Sequence, residues 1–452
     1  MKYFFETYGC QMNMAESAAL ALAAKERGWE EAESSGDADL VLINTCSVRA
    51  TAEERVFGRL AQYEALKKKR LAGGRPFTLV LAGCMAERLG DGIKEKYPAV
   101  DYAMGTRARP AFPHILEGIE KGCRRDTTYP WDTSSEKADF VFSSSHLEDG
   151  TFRSFVPIMH GCNNFCSYCI VPYVRGREVS RSPSSIVEEI RLLAEKGVRE
   201  ITLLGQNVNS YRYSASGFPA LLELVAETVK DTPIKWVRFL SSHPKDLSDE
   251  AIAVMAAHRC FCRHLHLPVQ HGSDRILEKM NRRYTGQAYL ELVRRLKEAM
   301  PGISLSTDIL VGFPGETVED LEDTLALMEE VKFLYSYMYH FNPREGTAAF
   351  DLPGRIPDEE KRRRLARVIE LQKQHTAERL KERKGKEALV LIEGISRKNA
   401  DEIICRTERD EMVVAPGSAS ALGRFGRLKL SGIRGNTFRS KNIEIEKSCS
   451  KS

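Results

Sequence analysis

His160-Gly161-Cys162-Asn163-Asn164-Phe165-Cys166-Ser167-Tyr168-Cys169 places three thiols within eight residues, and the next cysteine is Cys260. Eleven cysteines in 452 residues are an odd and sparse set for a disulfide framework, so the grouped ones read first as metal ligands in a reducing compartment. A structural zinc wants four ligands, and no nearby cysteine completes the set unless His160 is drafted. An iron-sulfur cubane is held by thiolates on its irons, so three of them leave one iron open to a substrate. The trio follows the apolar run SFVPIM, where a strand would end.

From about residue 151 onward, apolar segments end near Met159, Gln206, Ser242, Gln270, Phe313 and Asn342, with helical stretches between them. That alternation predicts an incomplete barrel of six βα units, with its site on the carboxyl-end loops. Upstream, residues 1–122 show the same alternation in the manner of an open parallel sheet flanked by helices, an overall α/β class. Three of its runs share an ending: KYFFETYGC closes on Cys10, DLVLINTC on Cys46 and FTLVLAGC on Cys84. Ligand crevices of open α/β sheets lie beyond the carboxyl ends of the strands, so these cysteines could meet at one edge. Their alternative reading is three small buried apolar residues.

Residues 123–150 are rich in Ser, Thr and Asp and read as a linker, followed by the barrel with its connecting helix over 151–380. Within the latter, residues 361–384 carry ten Lys or Arg against three Glu, and Leu365, Val368, Ile369 and Leu380 fall at roughly helical spacing. Short runs broken by Gly and Ser over 385–447 predict a small β-barrel. Its stretch between Met412 and Ile443 holds no acidic residue but six basic ones, Arg424, Arg427, Lys429, Arg434, Arg439 and Lys441, which suit RNA phosphates. The net charge of +4 would not imply nucleic acid by itself. Phe425 and Phe438 could stack bases or fill the core. With Glu6 inside its only apolar stretch, the N-terminus reads as neither a signal peptide nor a span, which favours the cytoplasm and no membrane.

CxxxCxxC at the first strand end of a partial barrel resembles the radical S-adenosylmethionine (SAM) superfamily. The resemblance implies a 4Fe-4S cluster on Cys162, Cys166 and Cys169 whose open iron chelates SAM. An electron passed to the sulfonium then yields the 5'-deoxyadenosyl radical. ETYGCQMNMAES, LVLINTCSVRATAEERV and LAGCMAER resemble the N-terminal domain of the methylthiotransferases. They imply a second 4Fe-4S cluster on Cys10, Cys46 and Cys84, again with one open iron, which would carry the sulfur.

The resemblance continues through CIVPYVRGREVSR, EITLLGQNVNSY, RFLSSHP, LPVQHGSDRILEKMNRRYT and DILVGFPGET, and the basic C-terminal part resembles the RNA-binding TRAM domain. GCQMN together with CNNFCSYCIVPYVRGRE is similar to the subfamily acting on N6-isopentenyladenosine beside the tRNA anticodon. Relatives acting on threonylcarbamoyladenosine or on a ribosomal-protein aspartate usually show GCKVN or GCPKN. His271 and Ala348 stand where Ser and Pro are more usual. Implied partners are the anticodon stem-loop of tRNA, a flavodoxin- or ferredoxin-type reductant and a sulfur donor. The rival class is an iron-sulfur RNA-binding or electron-carrying protein without catalysis.

Further candidates sit at the later strand ends. Gln206 and Asn207 offer amides to SAM or substrate, where the plainer reading is an Asn-rich turn. Ser242 with His243, and Gln270 with His271, end the next two strands; either histidine could be merely structural. Asp308 and Gly312 lie in DILVGFPGE, where glycine would let backbone approach the adenosine. Arg175, Arg177 and Arg181 suit phosphate or carboxylate recognition, or form a solvated basic turn. Cys123, Cys260, Cys262, Cys405 and Cys449 lack metal-like companions and read as structural.

Overall fold

The computed structural model describes residues 1–47, 50–90, 92–122 and 151–446, so the linker expected over 123–150 lies outside it, as do Cys123 and Cys449. The chain divides into two compact units. The first takes the N-terminal segment together with Met159–Phe165 and Cys169–Arg181; the second takes the strand before Met159, Cys166–Tyr168 and everything described from Ser182 onward.

In the first unit the order is β1 (Lys2–Tyr8), α1 (Gln11–Glu26), β2 (Glu30–Glu31), β3 (Leu40–Thr45), α2 (Ala50–Ala72), β4 (Thr78–Gly83), α3 (Cys84–Leu89), α4 (Gly92–Lys96), β5 (Tyr102–Met104) and α5 (Phe112–Glu120). The strands pair in parallel in the order β2-β1-β3-β4-β5. Every residue of β3 is buried, because helices cover both faces of a parallel sheet. Val41 and Ile43 pack with Val56 and Leu60 of α2, whereas Leu40 and Leu42 pack with Leu20 of α1 and Phe112, Ile115 and Leu116 of α5. An LVLINT run thus reads as a strand despite its lack of polar alternation.

The chain continues through β6 (Arg153–Pro157), β7 (Met159–His160), α6 (Val171–Arg175), β8 (Val179–Ser180), α7 (Pro183–Glu195), β9 (Glu200–Leu204), β10 (Arg212–Tyr213), β11 (Ser216–Gly217), α8 (Phe218–Val229), β12 (Trp236–Phe239), α9 (Asp249–Ala257), β13 (His264–His266), α10 (Asp274–Lys279), α11 (Gly286–Ala299), β14 (Ser304–Val311), α12 (Val318–Val331), β15 (Tyr335–His340) and α13 (Asp358–Arg383). Six of these strands pair in parallel with their sequence neighbours, as β6-β9-β12 and β13-β14-β15, and a parallel bridge between Val237 and Phe261 links the two sets. Ser182, Ser248, Thr285 and Thr317 cap the N-termini of α7, α9, α11 and α12 by accepting from backbone N–H groups three residues on.

Helix α13 forms where the sequence places it, but its buried stripe differs from the apolar one. Lys361, Arg364, Val368, Gln372, His375, Thr376 and Leu380 are buried, while Leu365 and Ile369 are only half-buried. The polar members are satisfied locally: Gln372 donates to the Phe333 carbonyl at 2.9 Å and Arg364 pairs with Glu316 at 2.8 Å.

The C-terminal sheet comprises β16 (Glu387–Ser396), β17 (Asn399–Thr407), β18 (Met412–Pro416), β19 (Phe425–Lys429), β20 (Gly432–Arg434), β21 (Thr437–Arg439) and β22 (Glu444–Ile445). The turn between β17 and β18 docks on the amino ends of the six strands. Tyr335 donates to Asp410 at 2.7 Å, Ser304 to the Arg409 carbonyl at 2.6 Å, and Arg238 to the Thr407 carbonyl at 2.9 Å. Glu200 lies between Arg238 and Arg406 in the same cluster, at 3.0 and 2.5 Å. The carboxyl ends are thereby left for the site. Among the described residues no helix is long and apolar enough to cross a membrane.

Leu42 is fully buried in the first unit. Leu42→Ala is expected to cost about 3 kcal/mol and lower the urea midpoint, while Leu192→Ala on the exposed side of α7 should change stability by under about 0.5 kcal/mol.

Candidate functional site

Register decides what happens at the carboxyl edge of the N-terminal sheet. Tyr8 pairs with Thr45 and Thr45 with Gly83, so the three strands end level and their next residues, through Cys10, Cys46 and Cys84, emerge side by side. The Cys46 N–H donates to the Tyr8 carbonyl at 2.9 Å, which extends the pairing to the cysteine itself. Glycines make the approach possible. A Cβ on Gly9 would lie 2.7 Å from that of Cys46, and one on Gly83, at φ +90°, would lie 2.6 Å from the Thr45 carbonyl oxygen.

The thiols are close enough for Cys46 to hydrogen-bond both others. Those bonds are the first reason that Cys10 and Cys84 fall below the ordinary thiol range while Cys46 rises; Arg175 adds to the lowering and burial opposes it. Cys10 is also the N-cap of the sixteen-residue α1, whose dipole favours a thiolate. Asn13 accepts from the Cys10 thiol at 3.2 Å and donates to Asn44 at 3.0 Å, and Asn44 donates to Ser17 at 3.0 Å. Glu16 on α1 holds Arg175 at 2.7 Å and Arg109 at 3.3 Å. Three convergent soft donors, two of them easily ionised, suit a thiolate-bound iron cluster.

The motif cysteines are Cys162 and Cys166, both buried, and the half-buried Cys169. In the first unit, the Cys162 N–H donates to the Gly176 carbonyl at 3.1 Å, and Ile170 and Val174 pack against Cys84. His160 is buried, and burial followed by Arg109 and Arg175 drives its pKa down to about 3, so it is a neutral base rather than a cation. In the second unit, Arg282 reaches Cys166 Sγ at 3.5 Å while donating to the Pro268 carbonyl at 2.7 Å.

At the strand ends of the second unit, two loops are stitched together. Asn209 exchanges hydrogen bonds of 2.8 and 2.9 Å with the His243 backbone, Val208 donates to the Ser241 carbonyl at 3.1 Å, and Asn207 donates to Asp246 at 2.7 Å. Gln206 Oε1, Asn207 Oδ1, Ser242 Oγ and His243 Nε2 are buried there without a protein hydrogen-bond partner. Natural interiors rarely leave such atoms unmatched, so this cluster fits a polar ligand. Ser241 at φ +66° and Gln270 at φ +72° hold left-handed backbone beside it.

Other candidates resolve differently. Asp308 lies within β14 rather than at its end, with His266 Nε2 at 3.6 Å, and its carbonyl accepts from Gln270 N–H at 2.9 Å. At Gly312, φ +73°, a Cβ would come within 2.4 Å of Lys361, so packing alone demands glycine. His271 is fully buried between Thr324, the Ser273 N–H and Glu316, a structural role. Arg175 is neither solvated nor free for substrate, being only 3% exposed and paired with Glu16; Arg177 is exposed and lies over Phe165. Of the six C-terminal cations, Arg427, Lys429, Arg434 and Lys441 are exposed, but Arg439 pairs with Glu402 and Arg424 donates to the Glu446 carbonyl. Phe425 and Phe438 fill the core. Cys262 and Cys405 are buried in apolar clusters, in keeping with a structural reading.

Asn13, Glu16, Asn44, Arg109 and Arg282 were not singled out from the sequence. Glu16 carried a signal, since it falls midway between Met12 and Leu20 on the buried face of α1, where a carboxylate demands a cation.

Residues 156–328 match the model of the radical SAM superfamily, and residues 2–105 match that described as uncharacterized protein family UPF0004. The fold is similar to that of the radical SAM methyltransferase TsrM of Kitasatospora setae, at TM-score 0.56 and 15% identity over 77% of this chain and 74% of that one. The cobalamin-dependent SAM radical enzyme OxsB gives TM-score 0.54 and 10% identity over 83% and 56%. The first unit and the strands β6 to β15 therefore define a radical SAM protein with an N-terminal parallel sheet and a C-terminal sheet.

Curated relatives narrow this class. The tRNA-2-methylthio-N(6)-dimethylallyladenosine synthases of Treponema pallidum and Treponema denticola are 50% and 49% identical, over 98% and 97% of this chain and 99% of each relative. That of Thermoanaerobacter sp. is 40% identical over 98% of this chain and 93% of its own length. The chain belongs to the family of tRNA-2-methylthio-N(6)-dimethylallyladenosine synthases.

His243 supplies a pH test. Burial, then Arg282, lowers its pKa to about 2, against about 6.5 when unfolded. The unfolded state therefore binds the proton first, and stability is lost as pH falls below about 6.5, by up to about 1.4 kcal/mol per pH unit for this group. Urea unfolding of His243→Gln should show a shallower decline between pH 6.5 and 5 than the parent; equal slopes would contradict the assignment.

Proposed function

We propose that the chain methylthiolates C2 of N6-dimethylallyladenosine (isopentenyladenosine) beside the anticodon of tRNA, as a cytoplasmic enzyme using SAM and two 4Fe-4S clusters. The observation that carries this reading is the level register of β1, β3 and β4, which sets three thiols with lowered or shared protons at one sheet edge in a chain that also holds CxxxCxxC. Cys10, Cys46 and Cys84 would hold one cluster, and Cys162, Cys166 and Cys169 the other. When bound, the clusters and SAM supply the radical that removes hydrogen from C2 and the methylated sulfur that replaces it.

The chain's own residues then bind and orient. Gln206, Asn207 and Ser242 offer unmatched polar atoms to SAM, with Gln270 and Asp308 on the neighbouring strands and the Gly312 turn bounding the same end. Arg282 donates to the Cys166 sulfur and to the Pro268 carbonyl, which orients it against this ligand. His243 is neutral and its Nδ1 accepts from the Lys245 N–H, so its Nε2–H faces the site as an uncharged hydrogen-bond donor without a protein partner. Six parallel strands followed by helices support a partial (β/α)6 barrel over 151–380, and the sheet of β16 to β22 supports a TRAM domain as proposed for 385–447. Its exposed Arg427, Lys429, Arg434 and Lys441 would contact phosphates of the anticodon stem-loop. A flavodoxin- or ferredoxin-type reductant and a sulfur donor complete the reaction.

Anaerobic incubation of the reconstituted protein with SAM and dithionite should release 5'-deoxyadenosine, and Cys166→Ala should abolish it. Absence of 5'-deoxyadenosine from the parent would sink the radical reading. Single Ala replacements of Arg427, Lys429, Arg434 or Lys441 should each weaken tRNA binding and reduce the slope of log K against log salt by about 1, measured by filter binding across a salt series. An unchanged slope would remove that residue from the interface.

A further inference from the structure

The triad of Glu16, Arg175 and Arg109 has no part in holding iron, yet it is one of the most deeply buried charged groups of the first unit. Glu16 is 1% exposed and Arg175 3%. Arg175 Nη1 lies 2.7 Å and Arg109 Nη2 3.3 Å from the same Glu16 oxygen. Burial alone would push the Glu16 carboxyl up; Arg109 and Arg175 outweigh it and keep the group ionised. Two guanidiniums against one carboxylate leave a surplus positive charge. It lies beside the thiols: Glu16 is on α1, whose N-cap is Cys10, and Arg175 follows Val174, which packs against Cys84; Arg175 accordingly lowers Cys10 and Cys84.

The placement is fixed by packing. Helix α6 ends on Arg175, its Val174 packs with Ile170 against Cys84, and the Val174 carbonyl accepts from the Thr106 hydroxyl at 2.6 Å. The segment that carries Cys169 thus also delivers the cation.

We propose that this surplus charge, positioned by Glu16, sets the reduction potential of the cluster held by Cys10, Cys46 and Cys84. This role for Arg175 and Arg109 as positioning residues rests on the cofactor reading above. One-electron reduction adds a negative charge to the cluster, and a fixed cation nearby stabilises the reduced form over the oxidised one, raising the potential. Removing a guanidinium should lower the potential, and removing the carboxylate should raise it. A purely structural triad predicts no such opposition of sign, because either loss would loosen the same packing.

The test uses the full chain with Cys162, Cys166 and Cys169 replaced by Ala, reconstituted with iron and sulfide, so that one cluster is titrated with dithionite and followed by electron paramagnetic resonance. Arg109→Gln should shift the midpoint negative, Glu16→Gln positive, and Arg109→Lys should restore the parent value. Midpoints that do not move, or that move in the same direction for Arg109→Gln and Glu16→Gln, overturn the proposal. Because Glu16→Gln leaves the buried Arg175 and the half-buried Arg109 less well paired and could fail to fold, Arg109→Gln against Arg109→Lys decides by itself. A parent that takes up no iron overturns the cysteine assignment and this role with it, an outcome distinct from a cluster of unshifted potential.

Discussion

The constraint on which the N-terminal site depends is strand register. Parallel pairing of Tyr8 with Thr45 and Thr45 with Gly83 makes three cysteines, far apart in sequence, consecutive in space. A slip of one residue in β3 would exchange Leu40 and Leu42 with Val41 and Ile43 between the two apolar cores and turn every side chain to the other face. The burial of β3 on both faces therefore protects the geometry of the thiols. The hydrophobic effect supplies the stability, and the thiols inherit its precision.

Within each unit the protein places charges that would be unfavourable singly. Glu16 with Arg175 and the half-buried Arg109, Glu200 with Arg238 and the half-buried Arg406, and Arg282 against Cys166 are each matched. Such clusters contribute little net stability, but deleting one member leaves an uncompensated buried charge at a cost of about 3–5 kcal/mol. They fix geometry instead. The Glu200 cluster ties the β17–β18 turn to the amino ends of the six strands, and the opposite ends are where Gln206, Asn207, Ser242 and His243 keep unmatched atoms.

Much of this was legible in the sequence. Spacing and strand-final position picked out the three N-terminal cysteines, and apolar runs separated by helical stretches predicted the six parallel strands. Features made by tertiary convergence were not legible. The α13 stripe was read from Leu365, Val368, Ile369 and Leu380, yet the helix buries Arg364, Gln372 and Thr376, because Glu316, Phe333 and Leu334 supply partners from distant segments. Arg175 looked like a substrate-binding cation until Glu16, 159 positions away, claimed it. Arg424 and Arg439 counted as basic surface, whereas pairing across the sheet engages both. Asp308 belongs to the strand rather than to its end, because β14 continues through Ile309–Val311 before the Gly312 turn.

Two sets of three cysteines, one assembled by a sheet and one by a ten-residue segment, suit an enzyme that must generate a radical and deliver a sulfur. The direct test is mass spectrometry of nucleosides from tRNA of a strain lacking this gene, complemented with the parent chain or with Cys10/Cys46/Cys84→Ala. The account predicts 2-methylthio-N6-dimethylallyladenosine with the parent, and only the unmodified N6-dimethylallyladenosine in the deletion and with the variant. Undiminished methylthiolation of that nucleoside in the deletion strain would contradict it.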